Sequence, residues 1–273
     1  MQKISIFIPV YRYSELLGAS LKSLIRDPYK NKEIFVIIDE PTKKSLELAK
    51  EYGDKARFVL NGKRAGKVNA LNEAVELSKG DILLFLDDDV KIPNPENFLA
   101  RVADELQKAD LVQFKQKTAR KSFLAKIASY DDIGFNFVYF TFSKLLRKCP
   151  GVSGPAFAIR RKVFQEIGGF RRVIQDDFDI GIRAFLKGKK FKYVRNMEVL
   201  IDPPHSWKEW FKQRKRWGVG TAICIKNYYR QFLRIAIKYP QVLVPAMFFM
   251  FPTLTLFLLN CFVYSPLMEN FLI

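Results

Sequence analysis

The stretch 80–91, GDILLFLDDDVK, decides how this chain is read. Its apolar run Ile82, Leu83, Leu84, Phe85 and Leu86 has the length and continuity of a strand buried on both faces, and it delivers Asp87, Asp88 and Asp89 at its C-terminal end. Three adjacent carboxylates raise one another's pKa, so at a buried strand end they are tolerated chiefly where a cation shares them. Hard oxygen ligands in that number suit Mg²⁺ or Mn²⁺, which would in turn hold a substrate's phosphates. Taken alone, three aspartates read equally well as a solvated turn. The surrounding chain has to decide.

Upstream, 3–10 is an apolar strand ended by Pro9 and followed by Tyr11, and Ser14 caps a helical pattern over 15–25. A second strand over 33–38 runs into Asp39 and Glu40, and a helix is expected over 43–52. A short strand at 57–60 leads to the basic, glycine-containing turn 62–67 and a helix over 68–78. Strands alternating with helices over 1–89 argue for a doubly wound, mostly parallel α/β sheet that binds ligands at the carboxyl ends of its strands. Asp39, Asp87 and Asp89 all fall on that edge. One acid can address a nucleoside's base or ribose, another a metal, and a cation from the turn before 68 can reach a diphosphate. No G-x-G-x-x-G follows the first strand, which disfavours a dinucleotide enzyme.

Downstream, a helix is expected over 97–107 and a strand over 110–116, followed by 118–148, where cations are mixed with aromatics. That segment reads as a packing helix, or as one that covers an acceptor or touches lipid headgroups. Ser153 and Gly154 are small enough for a ligand to approach the backbone closely. Asp176 and Asp177 open a helix that runs to about 187, where its dipole favours acids. The last strands lie at 191–194 and 197–201, and 206–217 is an aromatic and cationic helix suited to a membrane boundary. The run 242–264 carries no charge and is long enough to span a bilayer, although Pro245 and Pro252 leave a re-entrant hairpin open. Cations precede it and only Glu269 follows, so the positive-inside rule puts the catalytic part in the cytoplasm, at a cell membrane. The net charge of +18 requires an anionic partner, and anionic membrane lipids beside that run account for much of it. Three widely spaced cysteines and a start without a signal-peptide pattern fit a reducing compartment.

Seven short motifs occur in order: IPVY at 8–11 including Pro9 and Tyr11, the acid Asp39, Gly66-Lys67 with Ala70-Leu71-Asn72, the D-x-D of Asp87 and Asp89, Ser153-Gly154-Pro155, the pair Asp176-Asp177, and Q-x-x-R-W at Gln213, Arg216 and Trp217. In this the chain resembles the GT-A-fold inverting glycosyltransferases of family 2, of the cellulose synthase and hyaluronan or chitin synthase type. The resemblance implies a membrane-bound enzyme that moves a sugar from a UDP- or GDP-sugar to a lipid-linked or growing glycan acceptor. It implies that Pro9, Tyr11, Asp39, Lys67, Asp87 and Asp88 bind the nucleotide-sugar, and that Asp87 and Asp89 hold Mg²⁺ or Mn²⁺. Ser153, Gly154, Asp176, Gln213, Arg216 and Trp217 would serve the diphosphate and the acceptor, and Asp177 would be the general base. The expected organisation is a catalytic domain over 1–205, an interfacial segment over 206–239 and a transmembrane segment over 240–273. Asp176 stands where the family usually has Glu, Glu40 stands for a second Asp, and a single span cannot form a glycan channel. A nucleotidyltransferase would use a similar metal site, and a nucleic-acid-binding module would use the same charge. No DNA or RNA motif is present, so no nucleic-acid partner is expected.

Overall fold

The computed structural model describes residues 1–119 and 122–241. In chain order its elements are β1 (Ile4–Tyr11), α1 (Leu17–Arg26), β2 (Lys32–Asp39), α2 (Lys43–Tyr52), β3 (Arg57–Asn61), α3 (Lys67–Leu77), β4 (Ile82–Leu86), β5 (Val90–Lys91), α4 (Phe98–Lys108), β6 (Leu111–Thr118), α5 (Phe123–Leu145), β7 (Ala156–Arg160), α6 (Arg161–Ile167), α7 (Asp176–Leu186), β8 (Phe191–Ile201) and α8 (Trp207–Lys238). The strands form one sheet in the order β3-β2-β1-β4-β7-β6-β8-β5.

Every residue of β4 is buried, as its unbroken apolar run requires. Successive side chains of a strand point to opposite faces, and the two faces are covered by different helices. Ile4, Ile6 and Ile8 pack with Leu17, Leu21 and Leu24 of α1 and with Leu99, Val102 and Leu106 of α4. Phe7 and Phe85 face Leu71 and Val75 of α3, Val138 and Phe142 of α5, Phe164 of α6 and Ile180 of α7. On this second face the register aligns Phe35, Phe7, Phe85 and Phe157 in a row across β2, β1, β4 and β7. Their neighbouring centroids lie 5.1–5.4 Å apart. The row crosses the sheet just below the strand ends that carry the acids.

The sheet is mixed: most of its pairings are parallel, as expected, and the antiparallel ones were not foreseen. β1, β2, β3 and β4 pair in parallel and β6 pairs in parallel with β8, but β7 runs antiparallel to both β4 and β6, and β5 antiparallel to β8. The cause is the route of the chain after α5. Residues 148–155 return along α7 to the upper edge before β7 descends, and they pass so close that a Cβ on Gly181 would lie 2.4 Å from Gly151 Cα. β8 is one strand where two were expected. The gap read at Arg195 and Asn196 is a bulge: Phe114 pairs with Val194 and the next residue, Lys115, with Glu198.

α8 follows β8 as the aromatic and cationic helix that the sequence indicates, and it departs from helical geometry at Tyr228 (φ −119°, ψ 18°). Among the described residues no helix is long and apolar enough to cross a membrane. The run 242–264, read above as a span, lies outside the described residues.

Candidate active site

The upper edge of the sheet gathers the charged residues. α3 begins at Lys67 because Gly66 stands before it at φ 84°, a conformation that glycine adopts without strain. Asp39 fixes this turn: its Oδ2 accepts from the Gly66 N–H at 2.8 Å and its Oδ1 from the Asn61 side-chain amide at 2.8 Å. The turn aims Lys67 across to the end of β4, where Nζ donates to Asp87 Oδ1 at 2.6 Å. Burial alone would lower the Lys67 ammonium. The charges of Asp87, Asp176 and Asp177 outweigh it and raise the pKa, so this lysine stays charged.

Asp176 and Asp177 occupy the first turn of α7. Asp177 accepts from the Gly154 N–H through Oδ2 at 2.6 Å and from the Phe178 N–H through Oδ1 at 2.8 Å. A Cβ on Gly154 would meet Asp177 Oδ2 at 2.9 Å and Asp87 Oδ2 at 3.6 Å, so a glycine is needed between the two carboxylates. Burial, then the charge of Asp176, pushes the Asp177 carboxyl up to about 6, against the pull of Lys67 and the two N–H groups. Asp176 is raised as well, first by burial. Pro9, Lys67, Asp87, Gly154, Asp176 and Asp177 line one narrow cavity, floored by Phe85, Phe157 and Phe170. Asn72 closes the floor, donating to the Phe170 carbonyl at 2.9 Å and accepting from its N–H at 3.1 Å.

Asp88 and Asp89 complete the strand end. Burial and then Asp87 push Asp88 up to about 6, while its carbonyl accepts from the Ser14 hydroxyl at 2.8 Å. Ser14 therefore ties the acidic turn down and does not cap α1, whose N-cap is Leu16. Asp89 Oδ1 is buried with no hydrogen-bond partner, and burial together with Asp87 and Asp88 pushes the carboxyl up to about 8. An unpartnered buried carboxylate oxygen beside two further acids fits a bound cation. Among the described residues no three His, Cys, Asp or Glu side chains come together as a metal ligand set. Asp87 and Asp89 are the two acids here that could contribute oxygens to a divalent cation.

The other expected residues are not among those lining this cavity. Tyr11 is exposed, donating to Glu40 Oε2 at 2.9 Å with the Arg64 guanidinium 4.9 Å from its ring centroid. The Ser153 N–H donates to Gln113 Oε1 at 2.9 Å, and its hydroxyl donates to Gln116 Oε1 at 3.2 Å. Gln213, Arg216 and Trp217 are not among the residues lining the cavity. Gln213 accepts from Arg214, which ion-pairs with Asp131 of α5 and lies 4.2 Å from the Trp217 centroid and 4.9 Å from that of Trp210. Arg216 is exposed, and its charge reaches Asp176. Sequence reasoning missed Arg214, whose signal is its helical spacing of four from Trp210 and three from Trp217. It also missed Gln113 and Gln116, which stand out as polar residues within an otherwise buried strand.

Comparison with known proteins identifies the family and the fold. The Glycosyl transferase family 2 model matches residues 5–168, more than half of the chain, and stops before Asp176. The probable glycosyltransferase YdaM of Bacillus subtilis (strain 168) is 25% identical over 99% of this chain and 65% of its own length. The uncharacterized glycosyltransferase YaiP of Escherichia coli (strain K12) is 27% identical over 88% of this chain and 63% of its own. The chain thus spans a little under two thirds of these relatives. Among solved structures, the mannosyltransferase PcManGT from Pyrobaculum calidifontis, in complex with GDP-Man and Mn²⁺, superposes with a TM-score of 0.67 over 90% of this chain and 73% of that one, at 19% identity. The mixed sheet with helices on both faces is thus a GT-A-like fold, and the chain belongs to glycosyl transferase family 2.

Proposed function

We propose that this protein transfers a sugar from a nucleotide-diphospho-sugar to an acceptor hydroxyl by single displacement, with inversion at the anomeric carbon. The observation that carries the reading is the placing of a cation, Lys67, and a raised but ionisable carboxylate, Asp177, in one cavity with Asp87. The cavity is too narrow to enclose a whole nucleotide-sugar. It suits the reacting end of the donor, while the nucleoside lies outward over Tyr11 and the Asp39 turn.

Asp177 takes the proton of the acceptor hydroxyl as the new oxygen–carbon bond forms. The bond from the anomeric carbon to the diphosphate breaks, and the nucleoside diphosphate leaves with the electron pair. With its pKa at about 6 the carboxylate is mostly ionised at neutral pH yet basic enough to accept a proton. The Gly154 and Phe178 N–H groups hold it in place, and Lys67 stabilises the charge that develops on the departing diphosphate. A divalent cation, Mg²⁺ or Mn²⁺, held by Asp87 and Asp89 would supply further charge neutralisation there. The Mn²⁺ and GDP-Man of the mannosyltransferase support this reading.

A lipid-linked or growing glycan acceptor and a cytoplasmic catalytic part at a cell membrane belong to the same proposal. They are supported by the cations of α8 and by the uncharged run 242–264 that follows it. The test is to incubate membranes containing the protein with a panel of labelled UDP- and GDP-sugars under Mg²⁺ and Mn²⁺. Labelled glycan or glycolipid with release of nucleoside diphosphate is expected. Release of pyrophosphate would indicate nucleotidyl transfer instead, and absence of any transfer would reject the proposal.

A further inference from the structure

We propose that α8 positions the Asp176–Asp177 pair through two holds on α7, one at Gly220 and Thr221 and the other at Tyr228. The helix that bears Gln213, Arg216 and Trp217 would thereby set the reach of the base. The inference rests on the reading of Asp177 as that base.

The first hold acts on Gln175, the residue before the pair. Its carbonyl accepts from the Asp179 N–H at 3.1 Å, so the first turn of α7 follows wherever Gln175 sits. Thr221 donates its hydroxyl to Gln175 Oε1 at 3.1 Å. Beside it the backbone of α8 packs against the same side chain: a Cβ on Gly220 would lie 2.7 Å from Gln175 Cγ and 3.1 Å from Ile174 Cγ2. Glycine inside a helix costs about 1 kcal/mol relative to alanine, so a glycine there is explained by the close approach. Two residues earlier Gly218 is a built-in contrast, since a Cβ there would meet nothing within 4 Å.

The second hold lies at the break in α8. Where the backbone leaves helical geometry, the Tyr228 hydroxyl donates to Asp179 Oδ1 at 2.7 Å. Asp179 Oδ2 is ion-paired with Arg183 at 2.7 Å, and Arg183 also donates to the Ile167 and Gly169 carbonyls. Asp179 and Arg183 are only 2% and 5% exposed, so the ion pair at this junction is buried, with its oxygens and nitrogens hydrogen-bonded. Phe232 stacks on Phe178 with centroids 6.5 Å apart, adding an apolar contact beside the base. Asp176, Asp177 and Asp179 share one helical turn. A shift at either hold therefore reaches the 2.6 Å bond between Gly154 N–H and Asp177.

The test compares Gly220→Ala, Gly218→Ala, Tyr228→Phe and the double variant Gly220→Ala with Gln175→Ala in the full chain. Three readouts are taken: sugar turnover, affinity for UDP and GDP, and the amide resonances of Gly154 and Phe178, which report the Asp177 carboxylate directly. Gly220→Ala is expected to lower kcat about 100-fold, the scale of an ångström's misplacement, with nucleotide affinity unchanged and both amides shifted. Tyr228→Phe keeps the ring and so the fold, and is expected to shift the same amides with a smaller fall in kcat. Gly218→Ala should change none of the three. Removing the Gln175 side chain in the Gly220→Ala background should restore most of the turnover and return the amides toward their original positions. Unshifted amides in both Gly220→Ala and Tyr228→Phe, or equal loss of turnover and nucleotide affinity, would overturn the inference. A wild-type chain that transfers no sugar would reject the proposed function, and the amide shifts would still decide whether α8 holds the pair.

Discussion

At the scale of single residues, the fold spends backbone donors on one carboxylate. Asp177 receives two N–H groups, and burial still leaves its pKa at about 6. Asn at 177 offers one oxygen where the carboxylate offers two, so one of the two N–H groups loses its acceptor and the proton acceptor is gone. Asp177→Asn should therefore lower turnover by about 10²–10⁴-fold, while nucleotide affinity by calorimetry stays nearly intact. Equal loss of both would remove Asp177 as the base. Because the base works ionised, the rate of the unaltered chain should fall as pH drops through about 6 and level off above it. Gly154→Ala tests the close approach between the acids. Its methyl would press on Asp177 Oδ2, so turnover should be lost while the thermal midpoint changes little, whereas full activity would show that the pair is not tightly set. Asp89 carries a different consequence. Its carboxyl, and those of Asp88 and Asp177, sit above their ordinary range, so the folded chain holds these protons more tightly than the unfolded one. The cost of ionising them is absent at low pH and complete above about 8. The metal-free protein should therefore melt higher at pH 6 than at pH 9, by about 3 °C for each kcal/mol relieved, and added Mn²⁺ should flatten that dependence. A melting temperature that rises with pH in the metal-free protein would contradict the assignment.

At the scale of elements, the row of Phe35, Phe7, Phe85 and Phe157 supports the strand ends that carry the acids. Phe85 is 3% exposed and lies against Phe7, Phe157, Phe164 and Phe170. Phe85→Ala should cost about 3–5 kcal/mol and lower the denaturation midpoint accordingly, a loss that urea titration would measure. A cost below about 1 kcal/mol would mean that the row is not packed as described. Much of this architecture was legible in the chain, for physical reasons that differ from element to element. Strands such as β1, β2 and β4 announce themselves because both their faces are buried, and α2 starts at Lys43 with Thr42 in a capping box with Ser45. β7 was missed because AFAIR is short and follows a run of small residues and prolines, and with it went the antiparallel pairings. The bulge in β8 was visible as a polar interruption at Arg195 and Asn196, but the register shift that joins its two halves depends on β6. Sequence order likewise pointed to Asp39 without showing that both its oxygens are taken up in holding the Gly66 turn.

At the scale of the whole molecule, the parts divide between the two ends of the candidate site. Lys67, Asp87 and Asp89 gather on the sheet edge beside the Asp39 turn, and Asp177 arrives from α7, which α8 touches at Gln175 before its first turn and at Asp179 within it. Gln213, Arg214, Arg216 and Trp217 lie on that same α8, tied to α5 through Asp131 and Phe135. In the proposed function the acceptor side is thereby linked to the helix that precedes the uncharged run 242–264 in sequence. In the proposed mechanism one carboxylate, Asp177, deprotonates an acceptor that attacks in line opposite the diphosphate. The anomeric configuration of the product is read by proton NMR immediately after transfer from an α-linked nucleotide-sugar. A β-linked product is expected, and an α-linked product would rule out single displacement.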